Sequence, residues 1–192
     1  MGATLDRPHR PARHRLDVDD YYRMAEVGIL KRDERVELID GEIIDMTPIG
    51  SAHAGKTNRL GRLVARAAAE GLALVSVQSP LRLDAYNEPE PDLMLLRPRE
   101  DDYQASHPSP GDVLLLVEIS DSSLAYDRGA KLALYARFGV PEVWIVDIAG
   151  AGVEVCRMPR DGAYGSRELR TSGMLSPDLA PGIAIDVAPL LA

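Results

Sequence analysis

Three charged residues stand where burial makes charge costly. Asp92 opens an apolar run directly after Pro91, in EPEPDLMLL. Glu118 interrupts VLLLVEIS near its C-terminal end, and Lys131 falls in the first turns of DRGAKLALYARF. A carboxylate in an apolar strand is unfavourable unless it is paired or binds a cation. Two such carboxylates at the ends of adjacent strands suit a hard divalent ion such as Mg²⁺, which takes oxygen ligands and retains waters. A nearby ammonium can orient or help activate the attacking water, or offset the charge of a pentavalent phosphate. Together the three describe metal-assisted phosphodiester hydrolysis. The plainer reading is a loop-ending Asp92 and a structural Glu118–Lys131 ion pair. Spacing alone leaves both open.

Lysine usage adds a hint. The chain has 22 basic residues, of which only Lys31, Lys56 and Lys131 are lysine. Arginine serves elsewhere, so a retained lysine marks a candidate position for a compact ammonium. Lys56 lies in a second motif, GSAHAGKT. This stretch, Gly50 to Thr57, fits the phosphate-binding pattern G-x-x-x-x-G-K-[ST] and would make the chain a P-loop NTPase. Its context argues against that. A P-loop follows a buried parallel strand, whereas here the preceding segment carries Glu42 and Asp45 and is broken by Pro48. A helix start still attracts phosphate through its free N–H groups. Lys56 therefore either touches a nucleic-acid backbone or faces solvent.

The elements that must position these residues follow from periodicity. Asp17 to Glu26 reads as a short helix with an acidic first turn. ERVELIDGEIIDMTPI alternates apolar and acidic residues about Asp40-Gly41, a hairpin signal. Ser51 to about Glu70 is amphipathic, with Leu60, Leu63, Val64, Ala67 and Ala68 on one face and Gly71 as its stop. LALVSVQ and PDLMLL read as strands, LRLDAY as extended, and residues 97–111 as a polar loop. DVLLLVEIS and EVWIVDI are near-continuous apolar runs, hence buried strands. Residues 127–138 read as one helix between them, stopped by Gly139 and Pro141. GVEVCRM and YGSRELR form a closing hairpin, and the Pro-rich tail holds one short strand. The acidic cluster Glu88, Glu90, Glu100, Asp101 and Asp102 reads as a solvated loop rim, and Trp144 and Phe138 as core.

Composition bounds the class. At 192 residues, 45% apolar and 27% charged, the chain suits one soluble α/β domain, expected over 17–192 after a flexible arm at 1–16. No apolar run reaches the ~18 residues of a membrane span. The basic N-terminus is followed by no apolar segment and is not a secretory signal. A single cysteine, Cys156, excludes an internal disulfide and fits a reducing cytoplasm. The net charge of −8 argues against a nucleic-acid coat protein but leaves room for an acidic, metal-recruiting nuclease site. Zinc-ligand spacing, the G-x-S-x-G elbow and the G-x-G-x-x-G fingerprint are all missing from the sequence.

A P-D followed by a strand with an acidic residue, on an α-β-β-β-α-β frame, resembles the PD-(D/E)XK nuclease superfamily. More narrowly, RVELIDGEIIDMTP, His53, EPEPDLMLL, LLLVEISDSS, YDRGAKLALYARFGVPEVWIVD and GVEV resemble the Uma-two family of restriction-endonuclease-like proteins. The resemblance spans roughly residues 18–157. It implies a restriction-endonuclease-like α/β core with a mixed central sheet flanked by helices. It also implies a Mg²⁺- or Mn²⁺-dependent DNA endonuclease leaving 5′-phosphate and 3′-hydroxyl ends. By it, Asp92 and Glu118 are metal ligands and Lys131 is the catalytic lysine. Glu37 resembles the extra acidic residue that such folds place beside the metal, or else is a solvated hairpin charge. His53 contacts phosphate or orients water, or else caps its helix, and Gln78 is a further candidate for the site. One departure matters. E-x-K would place lysine at position 120, where this chain has Ser120, so the resemblance implies a lysine migrated to the helix. If it does not reach the sheet, the fold is inactive and only binds nucleic acid or a protein partner. A homodimer is expected, since one site per chain cuts one strand of a duplex.

Overall fold

A computed structural model describes residues 13–31 and 33–192. In chain order, α1 (Val18–Glu26) precedes a hairpin of β1 (Val36–Ile39) and β2 (Glu42–Asp45). Then come α2 (Ser51–Ala69), β3 (Leu74–Val77), β4 (Leu93–Leu96) and β5 (Val113–Ser120). A composite helix follows: α3 (Leu124–Tyr126), a π turn (Asp127–Lys131) and α4 (Leu132–Arg137). The chain ends with β6 (Glu142–Asp147), β7 (Gly152–Arg160), β8 (Ala163–Arg170), β9 (Met174–Leu175), β10 (Ile185–Asp186) and α5 (Val187–Leu191).

Six strands form one mixed sheet in the order β3-β4-β5-β6-β7-β8. Only β5 and β6 run parallel; the other neighbours are antiparallel. A parallel pair needs a crossover long enough to span the sheet. The composite helix is that crossover, and it is what lays Lys131 back across β5. Strand alternation then divides the core into two layers. Leu93, Leu95, Val117 and Ile119 face Leu60 and Val64 of α2 and the C-terminal residues Ile185 and Leu190. Met94, Leu96, Leu116 and Ile145 face Leu132, Tyr135 and Ala136 of α4. Asp92 and Glu118 are in phase with Met94 and Leu116. Both carboxylates therefore turn to the α4 side.

Two expectations change. The helix expected over 127–138 is not regular: the Leu132 N–H bonds to the Asp127 carbonyl across five residues, a π turn. Its first two residues are held from outside. Asp127 Oδ2 accepts hydrogen bonds from Ser120 Oγ (2.7 Å) and Ser123 Oγ (2.6 Å). Arg128 pairs with Asp147 at 3.2 Å and Glu154 at 2.8 Å, pulling the next residue towards β6 and β7. The tail, expected to hold one strand, forms the antiparallel β9–β10 pair and α5. Residues 1–12 of the expected arm lie outside the described residues. Beyond them Arg13 pairs with Glu42 at 2.7 Å, and the Leu16 N–H bonds to the Gly41 carbonyl at 3.0 Å, so residues 13–16 lie along the hairpin. Among the described residues no helix is long and apolar enough to cross a membrane.

The hairpin is fixed by its turn. Asp40 (φ 51°) and Gly41 (φ 76°) are both left-handed, as a two-residue type I′ turn demands. A β-carbon on Gly41 would also fall 2.6 Å from Arg15 Cβ. We expect Gly41→Ala to destabilise the protein by about 1–3 kcal/mol in urea unfolding, from backbone strain plus this clash. A variant as stable as the wild type would mean that the turn does not hold the hairpin in place.

Candidate active site

Asp92 and Glu118 end up side by side because β4 and β5 are antiparallel neighbours with Leu93 opposite Val117. Asp92 Oδ2 accepts the Ile119 backbone N–H at 2.8 Å. Its Oδ1 lies 2.7 Å from His53 Nε2. His53 thus reaches from the first turn of α2 to the end of β4. That hydrogen bond raises the His53 pKa, against the opposing effect of burial. Asp92 and Glu118 are both buried.

Lys131 is buried as well, and its ammonium sits between two carboxylates from different parts of the chain. Nζ is 2.9 Å from Glu118 Oε1 and 3.2 Å from Glu37 Oε2. Tyr135, one turn further along the same helix face, donates its hydroxyl to Glu118 Oε1 at 2.5 Å. Burial pushes the Glu118 carboxyl up to about 8, with Lys131 pulling the other way. Burial also disfavours the ammonium of Lys131, but Glu118 and Glu37 outweigh it and hold its pKa above the ordinary lysine value. Lys131 therefore stays charged and cannot accept a proton. Its chemistry is to orient and to supply positive charge.

Ser120 occupies the strand position where E-x-K would have a lysine. Its hydroxyl holds Asp127 instead, which fixes the start of the π turn and so the path to Lys131. The lysine reaches Glu118 from the helix.

These groups border a cleft of about 380 Å³ between the hairpin, the start of α2, the ends of β4 and β5, and the π turn. Seven carboxylates line it against the cations Arg35 and Lys131 and the imidazole of His53. Among the described residues no three His, Cys, Asp or Glu side chains are spaced to hold a metal ion together. Glu37 and Glu118 share the Lys131 ammonium instead. The hard-oxygen pair Asp92 and Glu118 remains. It suits an ion such as Mg²⁺, which is held by one or two carboxylates and keeps several waters. Each oxygen of Asp92 keeps a second lone pair, and no protein hydrogen bond among the described residues reaches Glu118 Oε2.

The remaining sequence candidates separate. Glu37 is buried on Lys131 and also accepts the Glu90 backbone N–H at 3.2 Å, so it is no solvated hairpin charge. Gln78 donates its backbone N–H to the Asp92 carbonyl at 3.1 Å but does not line the cleft. Lys56 donates to the Leu191 carbonyl at 2.5 Å, pinning the C-terminal helix, and the antiparallel β2 precedes its loop. The acidic rim is a correction. Glu88 is buried, bonded to Tyr22 and Arg82, and Glu90 lines the cleft. A signal for this was available. Glu88 and Glu90 each precede a proline, which forces extended backbone, so both share the face of Asp92 at two-residue spacing.

Glu118 makes stability pH-dependent in the metal-free protein. In the metal-free folded state Glu118 keeps a proton where an unfolded glutamate, with its pKa of 4.5, has lost it, and while it does so the charge of Lys131 rests on Glu37. That contribution is complete below 4.5 and is lost as pH rises through about 8. The raised His53 pKa acts in the same direction. We expect urea-unfolding stability in EDTA to fall across this window, and Glu118→Gln to flatten the fall. A slope unchanged in that variant would remove Glu118 as its source.

Comparison with known proteins bears on this arrangement. Residues 18–188 match the model of the Uma2 family, described as "Putative restriction endonuclease". The fold is similar to the crystal structure of "a putative nuclease belonging to DUF820" from Anabaena variabilis. The TM-score is 0.69 at 14% sequence identity, over 92% of this chain and 97% of that one. No curated protein matches. The family match takes in both carboxylates, the helix-borne lysine, the hairpin glutamate and every element that positions them, and the chain belongs to the Uma2 family of restriction-endonuclease-like proteins.

Proposed function

We propose that the cleft is the active site of a divalent-metal-dependent endonuclease that hydrolyses phosphodiester bonds in DNA. One observation carries this reading: Asp92 and Glu118 stand together at adjacent strand ends with the Lys131 ammonium 2.9 Å from Glu118, in an acidic cleft. Without a cation such a cleft repels a phosphodiester, which is itself anionic. Asp92 and Glu118 would hold Mg²⁺ or Mn²⁺, which supplies Lewis-acid charge at the scissile phosphate.

The chain's own groups do the rest. His53 and the Ile119 N–H fix the carboxylate of Asp92. Tyr135 and Lys131 fix Glu118. Lys131, kept protonated by Glu37 and by Glu118 once that carboxyl is ionised, orients water near Glu118 and offsets the charge that builds up as the phosphate is attacked. Glu37 keeps that ammonium in place. Two copies of the chain would be needed to cut both strands of a duplex together, which favours a homodimer. The second reading is a fold that binds DNA without cutting it, and it draws on the acidic net charge of −8 and on Ser120.

Nicking of supercoiled plasmid separates the two. The wild type is expected to nick in Mg²⁺ or Mn²⁺ and not in EDTA. Asp92→Ala and Lys131→Ala should each lower the rate about a hundredfold or more. No nicking by the wild type, on duplex and on single-stranded DNA, would leave the binding-only reading.

A further inference from the structure

The groups described so far hold one another, and few are left to hold a substrate. Lys131 is shared between Glu118 and Glu37, and His53 is paired with Asp92. Arg35 differs. It lines the same cleft, immediately before β1, and forms no salt bridge among the described residues although carboxylates surround it. It is close enough to Glu90 and His53 to bias the ionisation of both.

Tyr126 is the second exception. It lines the cleft in the last turn before the π segment. Its hydroxyl oxygen is buried and has no hydrogen-bond partner among the described residues. Burying a hydroxyl without a hydrogen-bond partner is unfavourable. The charges that act on it most are Glu37 and Lys131. Burial, then Glu37, lifts its pKa to about 12, so it keeps its proton and can only be a donor or a neutral acceptor.

We infer that Arg35 and Tyr126 form the substrate grip of the cleft, both donating to non-bridging oxygens of the phosphodiester backbone. This rests on the nuclease reading above for the identity of the substrate, and on the two unpartnered donors for the assignment. A guanidinium is suited to phosphate because its planar fork offers parallel N–H donors and never loses its charge. A phenol adds a hydrogen bond without adding charge. The grip lies on opposite chain segments: Arg35 precedes the hairpin strand that carries Glu37, and Tyr126 precedes the turn that carries Lys131. A phosphate held by both would be placed beside the carboxylates rather than on them.

The test uses the full chain with Arg35→Gln, Arg35→Lys and Tyr126→Phe. Thymidine 5′-phosphate in Mg²⁺ is the binding probe, measured by calorimetry, and plasmid nicking in Mn²⁺ is the activity. Tyr126→Phe removes an unpaired buried hydroxyl, so its unliganded melting temperature should equal or exceed that of the wild type. Each of Arg35→Gln and Tyr126→Phe should weaken binding of the probe about tenfold. Arg35→Lys should recover part of the loss. In nicking, Arg35→Gln should act mainly through KM. Wild-type binding that both variants retain, or a wild type that does not bind the probe, overturns the grip. Probe binding that depends on Arg35 and Tyr126 in a protein that never nicks DNA supports the grip and overturns the nuclease reading. Nicking by all variants at the wild-type rate with unchanged binding does the reverse.

Discussion

One ammonium inside the protein decides where three separate pieces of chain must lie. Lys131 comes from the crossover between β5 and β6, Glu118 from the central strand, and Glu37 from the hairpin. Removing one member of such a buried pair strands the other charge and costs about 3–5 kcal/mol, so the arrangement is held firmly once formed. It is a poor way to gain stability, since well-packed apolar side chains would do as well. It is an effective way to set geometry. The hairpin cannot slide along the sheet without leaving Lys131 short of a carboxylate, and the helix cannot turn without leaving Glu118.

The surroundings extend the same logic. Many charged groups in and around the cleft answer to another protein atom: His53 to Asp92, Tyr135 to Glu118, Ser120 and Ser123 to Asp127, Arg128 to Asp147 and Glu154. A site fixed in this way is pre-organised, because its groups need not reorient when charge develops. The cost is a surplus of carboxylates over cations, which keeps anions out until that surplus is offset. The side chains of Arg35 and Tyr126 have no hydrogen-bond or ion-pair partner among the described residues, and that contrast gives them meaning.

Much of this was legible in the sequence, and the limits were physical. Near-continuous apolar runs located β4, β5 and β6, and Asp40-Gly41 located the hairpin turn, because these signals are local. Asp92, Glu118 and Lys131 stood out because charge in an apolar run is itself anomalous. The pairing of His53 with Asp92, and of Glu37 with Lys131, depends on contacts between residues far apart in the chain, which no local pattern encodes. Glu90 was mistaken for a solvated charge because composition outweighed backbone. Its position before Pro91 had already fixed its face. Tyr126 and Tyr135 carried no signal at all, since an aromatic in an amphipathic helix reads as core. The π turn was hidden too, because DRGAK has ordinary helical periodicity and the distortion goes with Asp127 and Arg128 reaching out of it to Ser120, Asp147 and Glu154.

That turn also bears on how such a site changes over generations. A π turn holds one residue more than the α turn it replaces. Loss of a single codon between Asp127 and Ala130 would restore a regular helix while α4, packed under the sheet, kept its place. Side chains before the deletion would swing by roughly 100° about the axis. Asp127 would leave Ser120, and Tyr126 would leave the cleft, while Lys131 stayed against Glu118. The fold would survive with its ion pair intact and its substrate-facing wall rearranged. Reinsertion of one residue would undo the change. Related chains are therefore free to differ at this turn by a length of one while the lysine keeps its two carboxylate neighbours.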